Sequence, residues 1–400
     1  MEQITFWSGL DTIGSNVFSL DDGRNRVIMD FGMPDEHVPE GIKITEIEYF
    51  IRQKKLPDIP FLYDGESPYD DAVFISHLHI DHIGGLKYLP KDFPVYMSME
   101  SKVLFDNLVH AGMEVSIEAE IIGIPFEQPV SVGDYKVVFI ENDHDIKGSA
   151  SILIDTGERR ILHSGDIRKN GYHPNNVTRV IKKSAPVDLL LIEGTEFSFM
   201  DGLDAGAAPQ RKEINLLLDL KKEIEQKKGA VIINPYPRNI ERLIQINNMA
   251  LEQGVPILWQ HDTAVLLSAY TNRQVYKISG YNEKLPHIVH LDHENLDLAE
   301  EYKGGIYLHM NGVPLGDYDP RFTHLQKILE KHEIKYINIG VGGHASPDDI
   351  IDIVNDINPG TVIPWHTFKP ELQGSILKEK GHKVFLPERE TAYSLEELFK

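Results

Sequence analysis

Within six positions the chain places His77, His79, Asp81 and His82, and Gly84-Gly85 follow at once. Imidazole nitrogens and carboxylate oxygens are the donors that borderline divalent ions take from proteins. An isolated histidine is ordinarily a surface or core residue. This density, after an apolar run and ahead of two glycines, points to a metal centre. If the strand predicted at 71–76 continues through the motif, His77 and His79 project to one side, because strand side chains alternate. Asp81 and His82 then fall past its end, near the start of a helix, and form a second pair aimed at a second ion. The glycines let the backbone pass close to the site.

Two ions need more donors, since each zinc takes four or five. His144 follows the run 135–142, and His366 ends the run Thr361–Trp365. Asp166, in the loop after 159–163, is placed to bridge the ions with both its oxygens. The expected set is His77, His79 and His144 on one ion, Asp81, His82 and His366 on the other, and Asp166 between. With no cysteine in the chain, thiolate ligation and disulfides are excluded, and a nitrogen–oxygen set suits two Zn²⁺, with Mn²⁺ as the alternative. Such a pair serves hydrolysis, by lowering the pKa of water toward ~7 and stabilising an in-line displacement.

The elements that must position these residues are short β-type runs. Residues 4–10, 16–20, 26–32, 71–76, 135–142, 149–155, 159–166 and 187–194 read as strands, most ending in an acidic residue or glycine. Strand ends that carry such residues are where active sites sit on layered α/β folds. After Thr195 the character changes. A Gly-rich stretch at 197–209 precedes an amphipathic helix over 210–228, then a strand and a helix that stops at Gly254, and the alternation continues to about residue 331.

Composition sets the outer bounds. The 400 residues are 41% hydrophobic and 26% charged, enough for a sizeable core and, by length, for two domains. No apolar run approaches the roughly 18–20 residues that span a bilayer, and the N-terminus lacks a basic-then-apolar leader, so a cytoplasmic protein without membrane contact is expected. The net charge of −22 argues against a broad nucleic-acid-binding face but leaves room for a local basic groove. Basic clusters at 168–173, 179–184 and 210–213 are the candidates for one; solvated faces are the plainer reading.

Three weaker signals remain. His287, His290 and His293 are close in sequence, but a spacing of three along an extended run throws neighbours to opposite faces, so a structural or surface role is expected. His163 reads as buried polar packing or as support for the Asp166 loop. Arg238 and Arg242 open a helix after a strand, where a phosphate contact or plain surface charge are equal readings.

The opening motif, His144, Asp166 and His366 occur in the order of the metallo-β-lactamase superfamily, which the chain resembles over 4–196 and again from about 332. Asp30 is similar to the first, structural aspartate of that family. A narrower resemblance, to the β-CASP nucleases and ribonuclease J in particular, rests on "LLLIEGTE" with Glu193, "GVGGHASPDDI" with His344, "PGTVIPWHTF" with His366 and "INPYPRNIERL". It implies an α/β fold: an αββα sandwich from 1–196 and 332–400, with a small α/β (β-CASP) domain inserted at 197–331, short for that family. It implies an enzyme, a metal-dependent nuclease acting on single-stranded nucleic acid, RNA before DNA, with exonucleolytic and endonucleolytic action both open. His344, paired with Glu193, is implied as the proton donor, and Asp81 as the group that orients the nucleophile. Ser346 and Arg238 are expected at the substrate phosphate, and a homodimer is kept open. The competing reading is a small-molecule hydrolase of the same fold, acting on a lactone, thioester or cyclic phosphodiester.

Overall fold

The computed structural model describes residues 2–34, 36–63, 65, 67–200, 210–226, 229–280, 287–316 and 319–399. Two sheets lie face to face. The first has seven strands, in the order Ala392–Ser394, Gln3–Ser8, Val17–Asp21, Asn25–Met29, Asp70–Ile75, Pro94–Ser98, Glu120–Ile124. It is antiparallel at its start and parallel from Asn25–Met29 onward. The second has six, in the order Thr361–Trp365, Leu189–Glu193, Arg160–His163, Ala150–Asp155, Tyr135–Glu141, Pro129–Val132.

The runs that fill the space between these sheets are the alternating apolar residues of both. Phe6, Phe18, Leu20, Val27, Met29 and Phe74 of the first meet Val137, Phe139, Ile152, Ile154, Leu191 and Trp365 of the second in one buried cluster. The opposite face of the second sheet is covered by helices Pro174–Ser184, Pro347–Ile357 and Pro370–Glu379, which bury Val177, Val180, Ile350, Val354 and Leu377. Both faces of the sheet are thus dry, which is why Leu189, Leu190, Leu191 and Ile192 form an unbroken apolar run and not an alternating one. The whole is an α/β sandwich.

In sequence, a third sheet stands between Leu189–Glu193 and Thr361–Trp365. Its six strands are all parallel, in the order Tyr276–Lys277, Ile257–Trp259, Ile288–His290, Val231–Pro235, Ile306–Met310, Lys335–Asn338. The helix expected over 210–228 runs Glu213–Gln226 and the next Ile240–Glu252. Strand Lys335–Asn338 pairs with Ile306–Met310, so this sheet runs past the boundary expected at 331. Of the Gly-rich stretch, Thr195–Phe199 form a 3-10 turn, and 201–209 lie outside the described residues.

Candidate metal centre

Five strands deliver side chains to one edge of the sandwich. Asp70–Ile75 leads to His77, Tyr135–Glu141 to His144, Arg160–His163 to Asp166, and Leu189–Glu193 and Thr361–Trp365 end at Glu193 and His366. The last two are parallel and in register, Glu193 opposite Trp365, so the ends of both motifs arrive side by side. The expectation that one strand carries both His77 and His79 does not hold. The strand stops at Ile75, and His79 is the N-cap of the short helix Ile80–Ile83. Past the strand end the carbonyl of Ser76 accepts from the amide of Ala150, in the second sheet. Gly84 and Gly85 pack against the 31–33 loop, where a Cβ on Gly84 would run into the carbonyl of Met33 and one on Gly85 into the ring of Phe31.

All seven expected ligands converge. His77, His79, His144 and Asp166 present donor atoms within 4.8 Å of one another, and so do Asp81, His82, Asp166 and His366. Asp166 Oδ2 is the common point, 3.4 Å from His77 Nε2, 3.5 Å from His82 Nε2, 3.6 Å from His144 Nε2 and 3.8 Å from His366 Nε2. Asp166 thus belongs to both donor groups, with Oδ2 toward these four imidazoles and Oδ1 buried without a hydrogen-bond partner. His77 Nε2 is likewise buried without a hydrogen-bond partner. Buried polar atoms are ordinarily satisfied. Lone pairs crowded together and left unpaired are what a cation between them would explain, so the donor set fits divalent ions.

The electrostatics agree. Burial, then the neighbouring His82, pushes His77 down to about 4, and burial lowers His144 as well, so both rings keep lone pairs at neutral pH. Burial also works against a charged His82, yet Asp81, Asp166 and Asp30 outweigh it and raise that ring. A field that favours positive charge on a buried imidazole favours a metal ion in the same place.

Around the ligands lies a ring of supports. Asp30 accepts from the Ser76 amide at 2.7 Å, His82 Nδ1 at 2.8 Å and His163 Nε2 at 2.8 Å, which fixes His82 with Nε2 toward the centre. His163 is thus tied to the site through Asp30, in addition to packing against Phe18 and Trp365. Three supports had no sequence signal. Thr195 Oγ1 lies 2.7 Å from His366 Nδ1. Asp145 Oδ1 lies 3.3 Å from His79 Nε2 and 3.3 Å from His144 Nε2. The Asn16 side-chain nitrogen lies 3.1 Å from His82 Nε2 and 3.3 Å from Asp81 Oδ2. Asp30 and His366 both have left-handed backbones, at φ 54° and 52°; such strain in non-glycine residues persists only where surroundings enforce it. For His366 the enforcing bonds are its amide to the Gly9 carbonyl and its ring to Thr195.

His344 stands beside this centre. Its Nδ1 is 3.1 Å from Glu193 Oε1 and 3.8 Å from Asp166 Oδ2. Glu193 is fully buried and His344 is 19% exposed, so the imidazole is the half of the pair that solvent reaches. Burial lowers this ring, but Glu193 and then Asp166 outweigh it and raise it to about 10.

Two expected phosphate contacts are spent elsewhere. Arg238 donates to the carbonyls of Leu78 and Met113 and pairs with Glu114 at 2.7 Å. Ser346 caps helix Pro347–Ile357 by accepting from the Asp349 amide. Arg242 is buried and paired with Glu213. His290 is buried against Trp259, and among the described residues no metal-capable group includes His287, His290 or His293. No helix among the described residues is long and apolar enough to cross a membrane.

Comparison with known proteins gives the same picture. Residues 39–225 match the model of the beta-lactamase superfamily domain. Ribonuclease J of Helicobacter pylori is 25% identical over 77% of the chain, which spans 39% of that protein. Ribonuclease J of Mycolicibacterium smegmatis is 23% identical over 74% of the chain and 49% of its own length. "Probable RNase MJ4" of Methanocaldococcus jannaschii is 24% identical over 96% of the chain and 98% of its own length. The chain thus spans less than half the length of these two ribonuclease J relatives. Among solved structures, a protein of unknown function from Enterococcus faecalis superposes with a TM-score of 0.82 at 26% identity, covering 98% of this chain and 99% of that one.

Proposed function

We propose that this chain, a metallo-β-lactamase-fold protein similar to ribonuclease J, is a metal-dependent nuclease that hydrolyses phosphodiesters of single-stranded nucleic acid, RNA before DNA. The observation that carries this is the set of four imidazoles around Asp166 Oδ2 with His344 and Glu193 beside it. Two ions, Zn²⁺ or Mn²⁺, would be held by His77, His79, His144 and Asp166 on one side and by Asp81, His82, His366 and Asp166 on the other. When bound they supply Lewis-acid charge and a water acidified toward ~7.

The chain's own groups do the rest. Asp81 is half-buried beside His366 and orients the attacking hydroxide by accepting its hydrogen bond. His344 gives a proton to the leaving oxygen, and Glu193 holds its ring through Nδ1 and stabilises the imidazolium. Thr195, Asp145 and Asp30 keep the ligand rings in the tautomer and direction that the centre needs. The third sheet and its helices form the insert proposed at 197–331, and the Tyr236 ring, 5.3 Å from His79, supports a position over the centre. This cover admits a single strand and excludes a duplex.

One observation favours the small-molecule reading. The hollow beside His144 is lined by Glu100, Glu141, Asp143 and Glu241, with Lys147 and His173, a poor surface for a polyanion. The experiment that separates the two offers the zinc-loaded protein 5′-monophosphorylated single-stranded RNA, the matching DNA, a duplex, a lactone and a thioester. Degradation of the single strands supports the nuclease. Turnover of the lactone or thioester alone overturns it.

A further inference from the structure

We infer that Glu213, the first residue of helix Glu213–Gln226, is a positioning residue for His344 and acts through Arg168 and Arg242; the inference rests on the proposed role of His344 as proton donor. Glu213 Oε1 lies 2.9 Å from Arg168 Nη1 and 2.8 Å from Arg242 Nη2, and its Oε2 accepts from Arg242 Nε at 3.1 Å. All three side chains are buried to within 1%. Asp143 Oδ1, 3.6 Å from Arg168 Nε, completes a group of two cations and two anions that crosses from the third sheet's helices to the loops of the sandwich.

What this group holds is one short piece of backbone. Arg242 Nη2 donates to the carbonyl of Val341 at 3.1 Å, and Arg168 Nη1 to that of Gly342 at 3.0 Å. The carbonyl of Gly343 lies 2.5 Å from Nδ1 of His144, a metal-centre residue. Three successive carbonyls are therefore pinned directly before His344. Beyond it, the amide of Ala345 donates to Ile167 at 2.7 Å. The loop has little slack, since a Cβ on Gly343 would meet both Asp145 and His144 at 2.9 Å.

Stability alone is a weak reason for such a group, because buried ion pairs gain little over apolar residues of the same volume. An apolar core cannot donate directed hydrogen bonds to two neighbouring carbonyls, and the planar fork of arginine can. Glu213 is the carboxylate between the two forks. Without its charge two buried guanidiniums repel, and the carbonyls of Val341 and Gly342, held by different arginines, are pulled apart. His344 then leaves its place beside Glu193, and a displacement on the order of 1 Å at a reacting group costs about 10²-fold.

The test uses the full chain loaded with zinc and compares Glu213→Gln and Glu213→Asp in the native and His344→Ala backgrounds. Substrates are single-stranded RNA, whose leaving alkoxide needs a proton, and bis(p-nitrophenyl) phosphate, whose leaving phenolate does not. Glu213→Gln is expected to lower kcat on RNA about 10–100-fold with KM held, to change the nitrophenyl ester less than about 3-fold, and to add less than about 3-fold once His344 is gone. Glu213→Asp restores part of the loss. Equal losses on both substrates, or a full further loss in the His344→Ala background, overturn the inference. Hydrogen exchange at the Ala345 amide is read alongside and needs no activity. It is expected to quicken in Glu213→Gln while zinc content stays at the native value, and unchanged exchange also overturns the inference. Inactivity of the native protein on both phosphodiesters sinks the nuclease reading instead and leaves the exchange result to decide. Should Glu213→Gln fail to fold, Arg168→Lys, which keeps the charge and loses the fork, is expected to show the same exchange and kcat pattern.

Discussion

Nε2 of His366 stands 2.8 Å from Oδ2 of Asp81, although 285 positions separate them in the chain. The contact closes the centre: it joins the helix that follows the first sheet's fourth strand in sequence to the edge strand of the second sheet. It also predicts how the two ion positions separate. Of the two donor groups that contain Asp166, His366 belongs to one; it also lies within reach of Glu193 and His344. His366→Ala is therefore expected to leave about one zinc per chain and Asp166→Ala close to none, because a site needs about four donors. Elemental analysis after dialysis against a weak chelator reads the count. A His366→Ala chain that still holds two ions would remove it from the ligand set.

Asp145 gives a second prediction. Its Oδ1 lies 3.3 Å from Nε2 of His79, and the His79 ring turns Nδ1 toward His144 Nε2 at 3.2 Å. A carboxylate behind a ligand imidazole fixes the tautomer and raises donor strength, and its loss typically weakens metal binding 10–100-fold, here taken as roughly 30-fold. Asp145→Asn is expected to show that loss in a competition titration against a zinc-binding dye, with the fold retained by circular dichroism. Native affinity in the variant would reduce Asp145 to packing.

These two residues show where the sequence is readable and where it stops. The convergence of His77, His79, Asp81, His82, His144, Asp166 and His366 was legible because donor chemistry restricts residue type and strand ends restrict position. The α/β sandwich was legible for the same reason, since its strands are short apolar runs that end in those residues. Asp145, Thr195 and Asn16 were not, because each has ordinary chemistry and gains a role only from a partner up to 171 positions away. Arg168 and Arg238 show the converse. Arg168 was read as part of a basic groove or solvated face and Arg238 as a phosphate contact or surface charge, yet Arg168 is buried against Glu213 and Arg238 is spent on two carbonyls and Glu114. Charge is visible in a sequence, but the partner that consumes it is not. The single strand expected to carry both His77 and His79 failed because alternation predicts direction only while the strand lasts, and helix formation begins at His79.

His344 yields a third prediction, independent of metal content. As proton donor, its removal is expected to lower kcat on single-stranded RNA about 10²–10⁴-fold while zinc stays bound. A general acid must be protonated to act, so the native rate falls as pH rises through its pKa. Burial lowers that pKa, but Glu193 and then Asp166 raise it to about 10, which places the native alkaline limb above neutrality. Glu193→Gln removes the larger raising charge and is expected to move that limb to lower pH; His344→Ala abolishes it. Rate profiles between pH 6 and 11 that are superimposable for the native and Glu193→Gln chains would exclude the pair from proton transfer.

The fourth prediction concerns stability and lies away from the centre. His290 is buried in the third sheet against Trp259, at 5.4 Å between rings, and its Nδ1 has no hydrogen-bond partner. Burial lowers its pKa to about 4, with Asp292 and then Asp262 opposing too weakly to restore it. In the unfolded chain the same ring titrates near ~6.5. Between these values the unfolded state holds the extra proton, so stability rises with pH there: it is complete above ~6.5 and is lost as pH falls toward ~4. His290→Phe keeps a ring against Trp259 and removes the titration. Unfolding free energies from urea titrations of the native chain are expected to fall from pH 6.5 to pH 4 more steeply than those of the variant, by a difference on the order of 1–3 kcal/mol. The comparison between the two chains cancels the acid sensitivity of the metal centre, which both share. Parallel pH curves would mean that His290 finds a proton partner in solution that its buried ring lacks in this structure.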